Sequence, residues 1–310
     1  MTCPVDFFYF CGRSLRRVFR SDPPHFWSIF CDHAPFLIHA DSTLDKIDIF
    51  LVKDDEERVM DQRVVWILGA GGGVGGCVAH HLSNAGWTVV GSGRDPQRLA
   101  EMGNKIPGLS PLPLDARDPQ QVEAAARQIV EKYDAIDAVV VSVGSIFLKP
   151  LHATSPEQFQ ETMDDNLLPA FNAMRYAIPS MLRNKGGRMV LFSSAAAGVG
   201  MANHSAISAA KSAVEGLALA ASATYAKRGI RINTVAPGLT NTPLAASLLS
   251  DDARKAVSDG MHPVGRVGEA DEVASVASWL IDGAPDWLTG QVIGVDGGLS
   301  RLRAQETRKV

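Results

Sequence analysis

Short apolar runs alternate with longer amphipathic stretches from Arg63 almost to the C-terminus. VVWIL (64–68) predicts a buried strand, and VGGCVAHHLSNAG (74–86) a helix that turns small residues inward and stops at glycine. TVVGS (88–92) predicts a second strand, followed by a short helix over PQRLAEMG. LPL (112–114) reads as a third strand and PQQVEAAARQIVEKY as a helix. DAVVVSVG (137–144) has the unbroken apolar run of a parallel strand covered on both faces. A long helix through 166–184, the strand MVLF (189–192), a helix through about 206–227 and the strand IRINTV (230–235) follow. A loop with helices over 244–282 and a strand QVIGVD (291–296) close the pattern. This alternation predicts an α/β fold with a doubly wound parallel sheet. No linker divides the region, so residues 60–310 are expected to form one domain.

The chain before residue 60 differs. No strand or helix period is sustained there, and eight of the twelve Phe and three of the four Cys lie in the first fifty residues. GRSLRRVFR (12–20) is basic and slightly amphipathic, which fits a transit peptide. A docked arm covering an apolar surface is a second reading. The third takes residues 1–59 as an irregular N-terminal extension that the native protein does not contain. Codons for Glu56-Glu57-Arg58 can form a purine run resembling a bacterial ribosome-binding site, with Met60 as the start.

Charge and cysteine usage narrow the partners. A net charge of −4 gives no reason to expect nucleic acid or an anionic membrane. No run approaches the length of a membrane-spanning helix. Cys77 is the one cysteine within 61–310, which excludes a disulfide framework there and fits a reducing, cytoplasmic setting. The cysteines show no paired metal-ligand spacing, so no metal is expected.

LGAGGGVGG (68–76) joins the first strand to the first helix, where a dinucleotide pyrophosphate meets a helix N-terminus. Glycines there permit a tight turn and close approach of backbone N–H groups to phosphate oxygens. After the second strand, GSGRDPQ (91–97) has Gly93 where an acidic side chain would hold the ribose hydroxyls of NAD. Arg94 follows, and a guanidinium there can clamp a 2′-phosphate, so NADP is expected over NAD.

From residue 63 to 300 the chain resembles the short-chain dehydrogenase/reductase family, which implies a single-domain Rossmann fold. The family's T-G-x-x-x-G-x-G reads as Leu68-Gly69-Ala70-Gly71-Gly72-Gly73-Val74-Gly75, and its N-N-A-G as Val141-Ser142-Val143-Gly144. Its helix asparagine falls on Asn166, its active serine on Ser194 of LFSSAAAG and its lysine on Lys211. NTVAPGLTNTPL (233–244) carries the turn Pro237-Gly238, with Thr242 on the nicotinamide side. The resemblance sets Asp115 and Ala116 against the adenine, and implies a homotetramer or homodimer.

One residue departs from the pattern. The position that the resemblance gives to a catalytic tyrosine, one turn before Lys211, holds Ile207, which has no proton to give. Leu68 and Val141 are further departures, at positions where the family has threonine and asparagine. His204 lies seven residues before Lys211, about 20° around the helix and ~10 Å along it, and imidazole titrates near neutrality. Ser208 lies about 60° away, but its hydroxyl is too weak an acid. These residues fit an NADP(H)-dependent oxidoreductase in which His204, Ser194 or solvent completes proton transfer. A cofactor-binding protein with little turnover, acting as sensor, scaffold or partner subunit, is the alternative; non-redox chemistry on the same scaffold is a third. Phe147, Ile207, Leu248, Leu249 and Met261 are expected to line a pocket for a small, uncharged, largely apolar molecule.

Overall fold

The computed structural model describes residues 63–303 with their side chains and, before them, four strands. Those strands are β1 (Phe19–Arg20), β2 (Trp27–Cys31), β3 (Ala34–Ala40) and β4 (Ile47–Leu51), paired antiparallel in that order. This corrects the expectation of an irregular segment. Runs such as WSIFC and IDIFL are rich in strand-favouring residues yet too short to display a period. The segments 12–18 and 56–60, on which the transit-peptide and start-site readings rest, lie outside the described residues. Met1–Met60 and Asp61–Val310 form separate compact units.

The second unit is built on seven parallel strands. The chain begins with β5 (Val64–Leu68), α1 (Gly73–Asn84), β6 (Thr88–Ser92), α2 (Pro96–Lys105), β7 (Leu109–Pro111) and α3 (Pro119–Tyr133). It then crosses to the other side of β5 with β8 (Ala138–Val141), α4 (Pro156–Asn166), α5 (Leu168–Arg183) and β9 (Gly187–Phe192). The short α6 (Ala195–Gly198), the long α7 (Ser205–Tyr225) and β10 (Ile230–Pro237) follow. A small parallel pair, β11 (Thr240–Asn241) and β12 (Gly268–Glu269), brackets α8 (Asp252–Met261); α9 (Ala270–Asp282) and β13 (Val292–Val295) end the fold. The sheet order β13-β10-β9-β8-β5-β6-β7 reverses between β5 and β8. Crevices at such a reversal, outside the carboxyl ends of the strands, are where this architecture takes ligands.

Both faces of the central strands are buried, which explains their unbroken apolar runs. In β5, Val64, Trp66 and Leu68 join a core with Ile129 of α3 and Met174 and Met181 of α5. The intervening Val65 and Ile67 join a second core with Val78 and Leu82 of α1 and Leu280 of α9. Residues two apart share a face, so one strand feeds two cores. Trp66 also donates its indole N–H to Ser92 Oγ at 2.9 Å, satisfying the one polar group it buries.

Two expected elements are displaced. The third strand is Leu109–Pro111, not 112–114. Pro113 has no N–H for a ladder, although Leu112 and Leu114 still donate to the Gly91 and Gly93 carbonyls at 2.8 and 3.0 Å. The long helix expected through 166–184 is divided at Leu167: Asn166 ends α4, and α5 starts with Pro169 in its first turn. Among the described residues, no helix is long and apolar enough to cross a membrane.

Candidate functional site

Four loops leave the carboxyl ends of β5, β8, β9 and β10 side by side, because these strands pair in close register. Leu68 lies opposite Val141, Val141 opposite Leu191, and Phe192 opposite Val235. Every loop residue singled out from the sequence therefore follows a strand end on the same edge of the sheet.

The glycine loop is braced before anything binds. Ser92 O accepts the N–H groups of Gly69 and Ala70 at 2.8 and 3.1 Å, and Gly69 O accepts that of Gly72 at 2.9 Å. Gly69 holds φ +90°, a conformation that side chains disfavour. A Cβ on Gly75 would collide with the Gly69 carbonyl and sit 2.5 Å from Ser142 Oγ. One on Gly73 would sit 2.8 Å from the Thr242 methyl. The loop closes onto β8 and onto the segment after β10 only because these positions are bare. The helix ladder is entered when Gly76 N–H bonds Gly72 O at 3.0 Å, so the N–H groups of the first turn stand ahead of it. Gly72 is exposed there, with Gly73 and Val74 partly so. The loop thus fits a pyrophosphate group.

At the far end of the crevice, Gly93 and Arg94 follow β6, and Asp115 and Ala116 run beside them. The Arg117 guanidinium grips the Asp115 carboxylate at 2.6–3.1 Å and holds its pKa below the usual carboxylate range. Arg117 also reaches Asp165, the neighbour of Asn166, at 3.1 Å. Ala116 is buried, with its carbonyl accepting from Asn172 Nδ2 at 3.0 Å.

Lys211 sits on α7 with 7% of its surface exposed and donates from Nζ to the Phe192 carbonyl at 3.1 Å. Burial pulls its pKa from 10.5 down to about 8. Asn166 Oδ1 accepts the Ser145 N–H at 3.2 Å, while Nδ2 donates to Ser145 Oγ and Thr162 O. A Cβ on Gly144 would lie 2.7 Å from Asn166 Oδ1 and 3.1 Å from Lys211 Nζ, so the two polar groups flank one glycine. Ser194 caps α6, its Oγ accepting from Ala196 N–H at 3.2 Å. His204 stands at the start of α7 with Nδ1 2.7 Å from the Ala202 carbonyl. Ile207, one turn before Lys211, is 5% exposed.

Val74, Gly144, Ser194, His204, Ile207, Lys211, Pro237, Gly238 and Thr242 all line one cavity of about 960 Å³. Asn166, Arg94, Asp115, Ala116 and the remaining loop glycines lie outside its lining. Among the expected apolar residues, Leu248 and Met261 line the cavity, whereas Phe147 and Leu249 do not; Ile146 and Leu148 stand on either side of Phe147 in its wall.

Two ionisable residues of the cavity were not singled out from the sequence. Arg254 of α8 borders it and bonds the Ser247 carbonyl at 3.0 Å. His262 is 3% exposed, with Nδ1 2.8 Å from the Ser258 carbonyl and Nε2 accepting the Leu239 N–H at 3.2 Å. It ties the end of α8 to the turn at Pro237-Gly238. Its partners include one residue 23 positions away, so no local spacing could reveal it. No group of three or more His, Cys, Asp or Glu side chains is arranged to hold a metal among the described residues.

Comparison with known proteins agrees with this geometry. The enoyl-(acyl carrier protein) reductase family profile matches residues 69–300. The chain is 30% identical to 3-oxoacyl-[acyl-carrier-protein] reductase of Thermotoga maritima over 77% of its own length and 98% of that protein's. It is 32% identical to cyclohexanol dehydrogenase of an Acinetobacter species, over 78% of this chain and 98% of the relative. The crystal structure of a gluconate 5-dehydrogenase from Burkholderia cenocepacia, in complex with NADP and tartrate, superposes with a TM-score of 0.74 at 28% identity. That superposition covers 78% of this chain and 96% of the other. With the fold, the braced glycine loop and these matches together, the chain belongs to the short-chain dehydrogenase/reductase family of oxidoreductases.

Proposed function

We propose that this protein is an NADP(H)-dependent oxidoreductase for a small, largely apolar carbonyl, alcohol or enone, with Ile207 in the place of the family's tyrosine and His204 as proton donor. When bound, the nicotinamide supplies or accepts the hydride. The glycine loop, Pro237-Gly238 and Thr242 would hold it, with Arg94 toward the adenosine end. Ser194 Oγ accepts from a backbone N–H, which leaves its own proton free to point at a substrate oxygen. Lys211, with a pKa of about 8, carries positive charge at neutral pH and lowers the cost of negative charge forming in the cavity.

The assignment of the donor rests on a comparison of the two cavity histidines. His262 has both ring nitrogens engaged by backbone groups, Nδ1 with Ser258 O and Nε2 with the Leu239 N–H. His204 has Nδ1 engaged by Ala202 O, and among the described residues Nε2 has no hydrogen-bond partner. Nε2 of His204 is therefore the ring nitrogen available to exchange a proton with the cavity. The apolar side chains of Ile146, Leu148, Leu244, Leu248, Val257 and Met261 favour an uncharged substrate.

The test is NADPH oxidation, followed by nicotinamide absorbance, against cyclic and linear ketones, aldehydes and enones. Turnover on an apolar member that drops 10²-fold or more in His204→Ala supports the reading. Turnover unchanged by that substitution removes His204 from the mechanism. No turnover on any member, with NADPH bound, removes the enzymatic assignment to this substrate class.

A further inference from the structure

We infer that Arg98 is a second cation for the adenosine 2′-phosphate, delivered across the glycine loop from α2. The inference rests on the NADP reading and adds a residue to it.

The local backbone brings Arg98 to the loop. Ser92 O is bonded by Gly69 and Ala70, so the end of β6 is fixed against the loop and Gly93-Arg94 must continue along its edge. Asp95 then caps α2, accepting the N–H groups of Gln97 and Arg98 at 3.0 and 3.1 Å. Arg98 is thereby held in the first turn. A Cβ on Gly71 would lie 3.5 Å from Arg98 Cδ, 3.7 Å from Cγ and 3.9 Å from Nε. The aliphatic stem thus lies over the bare face of Gly71, with the guanidinium at the loop's rim.

The loop itself offers no side-chain cation, because residues 70–73 are Ala and Gly. Arg94 and Arg98 have no carboxylate within 4.0 Å among the described residues, so no acid competes at contact distance for their charge. Asp115 is the acid whose charge Arg94 feels, but its carboxylate is already gripped by Arg117. A guanidinium at the loop's rim with no carboxylate partner, four residues on from Arg94 after the end of β6, suits a phosphomonoester, which carries more than one negative charge at neutral pH. A pyrophosphate would instead be met by the N–H groups beyond Gly72.

Calorimetric titration with 2′,5′-ADP and with 5′-AMP isolates the 2′-phosphate, since the two ligands differ by that group alone. The full-length protein, Arg94→Ala, Arg98→Ala and Arg98→Lys are compared, with NADPH and NADH as further ligands. Loss of a charge-assisted hydrogen bond corresponds to a roughly 10- to 100-fold weakening. That loss is expected for 2′,5′-ADP and NADPH in Arg98→Ala, with 5′-AMP and NADH unchanged and partial recovery in Arg98→Lys. Equal weakening of 2′,5′-ADP and 5′-AMP would make Arg98 an adenine contact and overturn the assignment. Unchanged 2′,5′-ADP affinity in Arg98→Ala, while the parent protein still prefers it over 5′-AMP, would overturn the role of Arg98 alone. A parent protein that binds the two equally would overturn the NADP reading and this inference with it.

Discussion

Lys211 Nζ donates to the carbonyl of Phe192, the last residue of β9, at 3.1 Å. The lysine is thus anchored to the strand that delivers Ser194, and the two groups facing the cavity share one support. Anchoring a cation in a buried site has a cost that pH should expose. Below pH 8 the lysine is charged in the folded and the unfolded chain alike, and folding carries the full desolvation penalty. Between about 8 and 10.5 the folded chain releases its proton first, so this contribution to stability improves as pH rises. The penalty is about 3 kcal/mol at ~1.36 kcal/mol per pH unit, offset by about 1 kcal/mol for the hydrogen bond to Phe192. Lys211→Met should therefore raise the melting temperature of the ligand-free protein at pH 7, and raise it less at pH 9.5. A variant less stable than the parent at pH 7 would show that the buried cation is well compensated.

Ile207→Tyr should place an acid one turn from Lys211. Ile207 already lines the cavity, so its replacement points a phenol into open volume rather than into the sheet. Positioned acid catalysis contributes about 10² to 10⁴-fold, and ketone reduction should rise on that order. Normal NADPH affinity with no gain on any ketone would mean that more than the acid separates this site from a ketone reductase.

Gly73→Ala tests the closure of the glycine loop onto Thr242. The added methyl would meet Thr242 Cγ2 at 2.8 Å, and such overpacking costs about 1–3 kcal/mol. Thr242→Ser removes that methyl, so the double variant should recover most of the loss in denaturant melts. The Thr242 Cβ, at 3.1 Å, keeps the recovery incomplete. Simple additivity of the two substitutions would show that the loop relaxes away from Thr242.

A homodimer or homotetramer is expected to cover apolar side chains on α5 and α7. Phe171 is 42% exposed and Leu219 61% exposed. Leu219→Glu together with Phe171→Glu should lower the sedimentation coefficient toward that of a single chain. Monomers in the parent protein at micromolar concentration would count against any such assembly.

The centre of the sheet was legible because its strands are buried on both faces. An unbroken run such as VVWIL fits a strand covered on both sides, and the glycine loop marks where the first strand ends. The third strand was not, since Pro113 sits inside the expected run at 112–114 and Pro111 ends the observed strand, leaving Leu112 and Leu114 to bond the Gly91 and Gly93 carbonyls beyond it. The break at Leu167 was signalled by Pro169, which opens a helix as readily as it interrupts one. At the candidate site, Ser194 and Lys211, which the family resemblance implies, and His204, set by its seven-residue spacing from Lys211, line one cavity. His262 and Arg98 were not legible, since their partners are backbone groups or bare glycines that only the folded chain brings near.

The braces around the glycine loop bear on the thermodynamics of binding. Gly69, Ala70 and Gly72 spend their N–H groups within the protein, and Ser142 Oγ donates to the Leu68 carbonyl at 3.0 Å. A phosphate arriving at α1 meets a surface that is already ordered, so little conformational entropy is lost there on association. Affinity at this loop should therefore track the enthalpy of the contacts made, and hydrogen exchange of the Gly69 and Ala70 amides should be slow before ligand is added and hardly slower afterwards.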